Sequence, residues 1–150
     1  MISCTEFIPA YSELFKYIES IDGFDGVLKY WNHLGETGLK NLDENVRRYG
    51  IMGCYKYWSG TLNEEAADFT MTVDEEAGDF TIDMHYCPSK GRLLNLDYME
   101  PYPKYCYHCD ILYRRVLEPL GYKYDYDFSG IDKAKCFCRI TAPGKWENKE

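Results

Sequence analysis

Two cysteines and a histidine stand close together in "PYPKYCYHCDILYRR", residues 101 to 115: Cys106, His108 and Cys109. Thiolate sulfur binds soft metals and attacks electrophilic carbon, and imidazole moves protons or ligates metals. Further sulfur lies nearby in sequence, at Cys87 in "HYCP" beside His85, and at Cys136 and Cys138 in "KCFC". The chain has seven cysteines, an odd number, which argues against a disulfide framework and for metal binding, catalysis or burial.

Three chemistries follow. If the helix bearing Cys106 and Cys109, the strand end bearing Cys87 and the strand bearing Cys136 and Cys138 present their sulfurs to one place, four of them surround a zinc ion at about 2.3 Å each. The expected ligand set is Cys87, Cys106, Cys109 and Cys136, with Cys138 the alternative to Cys136. A lone Cys-x-x-Cys is a weak zinc signal, and Cys-x-Cys on a strand is a less usual partner for it. A nucleophilic thiol, Cys106 or Cys109, with His108 or His85 as its base is the second chemistry, because a helix's first turn favours thiolate. Disulfide exchange is disfavoured, since that motif follows a parallel strand in a βαβ unit and none is readable here. The plain alternative is packing, because free cysteine is a small hydrophobe that suits cores.

These residues must be positioned by elements of two kinds. The first half reads as helices. "AYSELFKYIES" places Leu14, Phe15 and Ile18 at helical spacing, and "GVLKYWNHLG" places Val27, Tyr30, Trp31 and Leu34 on one face. "ETGLKNLDENVRRYG" has the seam Leu39, Leu42 and Val46, and "IMGCYKYWSGTLNEEA" carries Cys54, Trp58 and Leu62. The period then changes to two. "DFTMTV" and "DFTIDMHYC" alternate around "DEEAG", with Phe69, Met71 and Val73, then Phe80, Ile82, Met84 and Tyr86, facing inward. Asp83 faces out. Pro88 ends this hairpin. Pro101 and Pro103 set a helix start near 103, and Pro119 and Gly121 end it. Within it Cys106, Cys109, Tyr113, Val116 and Leu120 form the stripe facing the sheet. A second hairpin joins "YKYDYDF", with Tyr122, Tyr124, Tyr126 and Phe128 inward, to "KCFCRIT". The expected fold is α+β, with N-terminal helices packed on an antiparallel sheet of two hairpins separated by a helix, in one domain over 1–150. "GKWENKE" reads as a frayed tail.

Length and charge bound the function. A chain of 150 residues buries a proper core, and 15 tyrosines suit a half-wet pocket. The formal charge of −8 with no basic stripe makes nucleic acid and anionic membrane poor partners. No signal peptide or transmembrane run is readable, so the expectation is a cytoplasmic protein with reduced thiols and a small-molecule ligand. His33 reads as a core or boundary histidine. "NEEAAD" and "DEE" read as solvated faces, Asp125, Asp127 and Asp132 lack the register of a calcium loop, and "GETG" is no phosphate loop.

The order of motifs carries a resemblance. "EEA" leads into a strand, "HYCP" closes a hairpin, and "YCYHCD", "LGYKYDYD" and "DKAKCFCRI" follow. Over roughly residues 50 to 140 this resembles the L-2-amino-thiazoline-4-carboxylic acid hydrolase family, with "KAKCFCRI" departing from the family pattern in detail. More distantly, "GIDKAKCFCRI" is similar to the closing strand of the vinyl-reductase-type small-molecule-binding domain, which binds ligands or metals without needing to catalyse. The first resemblance implies hydrolytic ring opening. Cys106 or Cys109, or water on a zinc they hold, supplies the nucleophile, and His108 or His85 supplies the acid. Arg139 or Arg115 then meets the substrate carboxylate, with Tyr113 also at the substrate. The second implies a non-catalytic ligand- or zinc-binding module.

Overall fold

A computed structural model describes residues 4–64 and 67–145. Helix α1 (Cys4–Gly38) is two helices broken at Gly23, whose φ of 65° is a left-handed conformation that glycine adopts without strain. The "DGFDG" boundary read from the sequence is this break. Helix α2 (Lys40–Tyr49) buries Leu42 and Val46, and α3 (Ile51–Glu64) crosses it at Gly53. A Cβ on Gly53 would lie 2.3 Å from the Asn45 carbonyl oxygen, so the two backbones touch and only glycine fits.

Strands β1 (Asp68–Asp74) and β2 (Asp79–Tyr86) form the first hairpin, turned through Gly78 at φ 64°. A short helix, α4 (Pro88–Leu94), follows directly, and α5 (Tyr107–Leu117) comes next. Strands β3 (Lys123–Asp127) and β4 (Cys136–Thr141) make the second hairpin. All pairings are antiparallel and the order is β1-β2-β4-β3, so β2 and β4 join the hairpins at the centre of an α+β fold.

Register decides which sulfurs face the helices. Phe80 lies opposite Ile140, Ile82 opposite Cys138, and Met84 opposite Cys136. Phe80, Ile82 and Met84 are buried and Asp83 is exposed, as the alternation requires. Together with Trp58, Leu117 and Tyr124 they make one core cluster between sheet and helices. A second cluster gathers Phe15, Trp31, Leu93, Tyr102, Tyr105 and Cys106 around α1. Helix α5 lies between them, with Tyr113, Val116 and Leu117 on the sheet side and Ile111 and Leu112 on the α1 side.

Four expectations change. Helix α5 begins at Tyr107 rather than near 103, because residues 103–106 form turns in which Tyr105 N–H donates to the Tyr102 carbonyl and Tyr107 N–H to that of Lys104. Cys106 is therefore the N-cap residue, and it packs with the α1 cluster instead of sharing a sheet-facing stripe with Tyr113. Tyr86 is exposed, because its strand ends there and its hydroxyl accepts from Asn95. His33 is exposed on α1, between the turns that bury Trp31 and Gly35. Of the C-terminal tail, residues 146–150 lie outside the described residues. Among the described residues no helix is long and apolar enough to cross a membrane.

Candidate functional site

Five chain segments meet at one cavity. The end of β2 supplies Cys87, and α4 supplies Ser89 and Lys90. The turns before α5 and its first turn supply Tyr105, Cys106, His108 and Cys109, while β3 supplies Tyr126 and the start of β4 with the bend before it supplies Ala134, Lys135 and Cys136. Its internal volume is about 40 Å³, and the empty space including its mouth is about 340 Å³. The four thiols expected to converge thus line a single cavity.

Local backbone chemistry fixes each one. Cys87 caps α4, its sulfur accepting from Lys90 N–H at 3.4 Å, and its own N–H donates to the Ala134 carbonyl at 2.7 Å. Ala134 holds φ 57°, a left-handed bend that an alanine adopts at a cost, and this bend leads the chain into Cys136. Gly91 permits the tight entry into α4, since a Cβ there would sit 2.3 Å from the Tyr86 ring. The turn before α5 is tied to α1 by Tyr102 N–H donating to Ser12 Oγ at 2.8 Å. Tyr105 is anchored through its hydroxyl to Ser89 at 2.7 Å.

The thiols differ in what they can do. Burial pushes Cys106 up to about 12, and the neighbouring sulfurs of Cys109, Cys87 and Cys136 add to the rise while the Lys90 charge opposes it. Burial likewise pushes Cys136 up to about 12, with Cys109, Cys87 and Asp83 adding to it and a Tyr126 hydrogen bond opposing. Both are protonated at neutral pH and are weak nucleophiles there. Cys106, a candidate nucleophile by its position in sequence, is held in its protonated form there by burial.

Cys109 is placed differently. His108 Nδ1 bonds the Tyr105 carbonyl oxygen, and a carbonyl can only accept, so Nδ1 carries the proton. The other ring nitrogen, Nε2, then presents a lone pair, and it lies 3.5 Å from Cys109 Sγ. The ring is held edge-on to Tyr105 at 4.8 Å and packs near Phe15 and Trp31 at 6.0 and 6.2 Å. Cys109 also lies in the first turn of the 11-residue α5, where the helix dipole favours a thiolate. A thiol, a base facing it and a group orienting the base are the parts of an activated nucleophile.

Comparison with known proteins finds no matching family model, curated protein or solved structure.

The remaining expected residues lie elsewhere. His85 is on the outer face of the hairpin, bonded to Asp68 and Thr70 at 3.1 Å each. Arg139 donates to both carboxylate oxygens of Asp79 at 2.8 and 2.7 Å, across the outer face of the sheet. Arg115 pairs with Glu36 and Asn32 on α1. Tyr113 packs edge-on to Trp58 at 5.0 Å, and neither it nor these cations line the cavity. The cations that do line the cavity are Lys90 and Lys135, neither of which the sequence reading singled out. For zinc, Cys87, Cys106, Cys109 and Cys136 supply the right donor type and share one cavity. Yet among the described residues no three His, Cys, Asp or Glu side chains are grouped to hold a single ion.

Proposed function

We propose that the protein is a small-molecule-handling thiol protein of the thiazoline-carboxylate hydrolase type, with Cys109 as nucleophile and His108 as its acid–base partner. The observation that carries this reading is the Cys109–His108 contact inside the cavity, with the tautomer of His108 fixed by the Tyr105 carbonyl. In the first step Cys109 sulfur bonds to the ring carbon between sulfur and nitrogen while its proton passes to Nε2. Collapse breaks the ring carbon–sulfur bond, and the departing sulfur takes that proton to become a thiol. In the second step water adds to the same carbon and gives a proton to Nε2. The bond to Cys109 then breaks, and Cys109 regains its proton from His108. Water thus supplies the new carbonyl oxygen, one hydrogen to the freed thiol and one to nitrogen.

The test is direct. Purified protein incubated with 2-amino-thiazoline-4-carboxylate releases a new small-molecule thiol, and Cys109→Ser abolishes the release. No release by the wild-type chain, or undiminished release by Cys109→Ser, contradicts the reading.

The shared cavity of four thiols favours a second reading, a non-catalytic module for a soft cation such as zinc. It requires the sulfurs of Cys87, Cys106, Cys109 and Cys136 to draw in to about 2.3 Å of one ion. Elemental analysis then finds one zinc per chain, and chelation lowers the melting temperature. Zinc-free protein that melts at the same temperature with and without added zinc contradicts it.

A further inference from the structure

Lys90 is about nine-tenths buried, with 9% of its surface exposed, and it lines the thiol cavity. A lysine this deep is almost always paired with an acid. Here its side chain makes no ion pair or hydrogen bond with any described residue, whereas Lys16, Lys29, Lys104 and Lys123 each have a carboxylate partner. Its charge does reach the Cys106 sulfur, but Cys106 is pushed up to about 12 and stays a neutral thiol at pH 7. The cavity therefore holds a buried lysine with no carboxylate partner among the described residues. Lys135, exposed and also without an ion pair among the described residues, adds a second positive charge at the same cavity.

We propose that Lys90 is the anion-binding group of this cavity, so that the molecule presented to Cys109 carries a small carboxylate that Lys90 pairs with. This assignment rests on reading the cavity as a small-molecule site, and it replaces Arg139 and Arg115, whose charges are already spent on Asp79 and Glu36. Pairing a carboxylate with a cation in a site shielded from water is worth far more than the same contact on a surface. It also fixes the ligand's orientation, because the carboxylate end is held at α4 while the remainder faces the first turn of α5. The internal volume near 40 Å³ takes a group of about acetate size, and the mouth takes the rest.

Two alkylating reagents of nearly equal size, one anionic and one neutral, test this. Iodoacetate carries a carboxylate and iodoacetamide does not. The rate of Cys109 modification by each is measured at neutral pH and low salt on the full chain, with the modified residue identified by peptide mass. For an unassisted thiol the neutral reagent is the faster. The expected result is an iodoacetate-to-iodoacetamide ratio about tenfold or more above that of a free thiol peptide. Lys90→Met returns the ratio to the peptide value, and Lys90→Arg retains most of the gain. Two results overturn the proposal while leaving the reactive thiol in place: a wild-type ratio equal to the peptide's, or a Lys90→Met variant slowed equally with both reagents. The latter would make Lys90 a stabiliser of the thiolate alone. Failure of Cys109 to react with iodoacetamide at all overturns the underlying reading of the site and this assignment with it. If Lys90→Met does not fold, the wild-type chain still decides, since sodium acetate at constant ionic strength must protect Cys109 from iodoacetamide more than chloride does.

Discussion

Cys54 is completely buried in α3, and burial pushes its thiol from 9.0 up to about 12. In the unfolded chain the same thiol ionises near its ordinary value. Below about pH 9 both states keep the proton. As the pH rises from about 9 towards 12 the unfolded chain releases a proton that the folded chain retains, so stability falls by about 1.4 kcal/mol per pH unit. The full interval amounts to about 4 kcal/mol for this one residue. Cys106, Cys136 and Cys138 are pushed up to about 12 in the same way. Four such thiols set an upper limit of about 5 kcal/mol per pH unit, since Cys106 and Cys136 owe part of their rise to one another. Through these thiols alone, a domain with about 5–15 kcal/mol of stability therefore needs at least about one to three pH units above about pH 9 to unfold. Urea midpoints followed by circular dichroism under reducing conditions, from about pH 8.5 to about pH 10.5, measure the slope. Cys54→Ala loses about 1–2 kcal/mol at the low end of that range through lost packing. Its slope must nevertheless be shallower than wild type by one proton, about 1.4 kcal/mol per pH unit. Equal slopes for the two proteins would refute the claim that burial holds the proton on Cys54.

Other consequences are open to simple stability measurements. Gly53→Ala must push α3 off the Asn45 carbonyl, and thermal melting should show a loss of about 1–3 kcal/mol or more; a neutral change would deny the backbone contact between α2 and α3. Phe80→Ala should cost about 3–5 kcal/mol in urea unfolding, whereas Asp83→Ala on the opposite face should stay within about 0.5 kcal/mol. Comparable losses at the two positions would mean the strand faces are misassigned. Gly23→Ala meets no neighbour but must adopt a left-handed conformation, so it should lose about 1–2 kcal/mol in chemical denaturation without altering the rate of Cys109 alkylation.

The hairpins were legible because alternation of apolar and polar residues is a local signal, and Phe80, Ile82 and Met84 sit where it put them. Convergence of Cys109 and Cys136 was legible for the same reason, since each lies on an element whose buried face the pattern reveals, whereas alternation puts Cys87 on the outer face with His85 and it reaches the cavity only because β2 ends at Tyr86 and Cys87 turns to cap α4. Cys106 reached the cavity by a different route, as an N-cap after a run of turns, since Pro101 and Pro103 mark those turns and not the first turn of the helix. The sequence "PSKGRLL" hid α4, because proline, serine and glycine in succession read as a break, whereas Cys87 and Pro88 start a helix there. Two determinants of the site depend on contacts between distant elements and leave no local trace. Arg139 is drawn away by Asp79 through the β2–β4 register, which sequence spacing does not specify. Lys90 looks like any solvated lysine until the turns into α5 and β4 close over it.

The account stands most directly on the pairing of Cys109 with His108. Iodoacetamide labelling at neutral pH, resolved by peptide mass, measures every cysteine at once. The account predicts that Cys109 is modified first, ahead of the buried Cys106 and Cys138, and faster than a free thiol peptide. Replacing the imidazole by an apolar ring in His108→Phe, which keeps the packing against Phe15 and Trp31, should lower the Cys109 rate by about a hundredfold. A Cys109 no more reactive than the free peptide, or one whose rate is the same in His108→Phe, would contradict it.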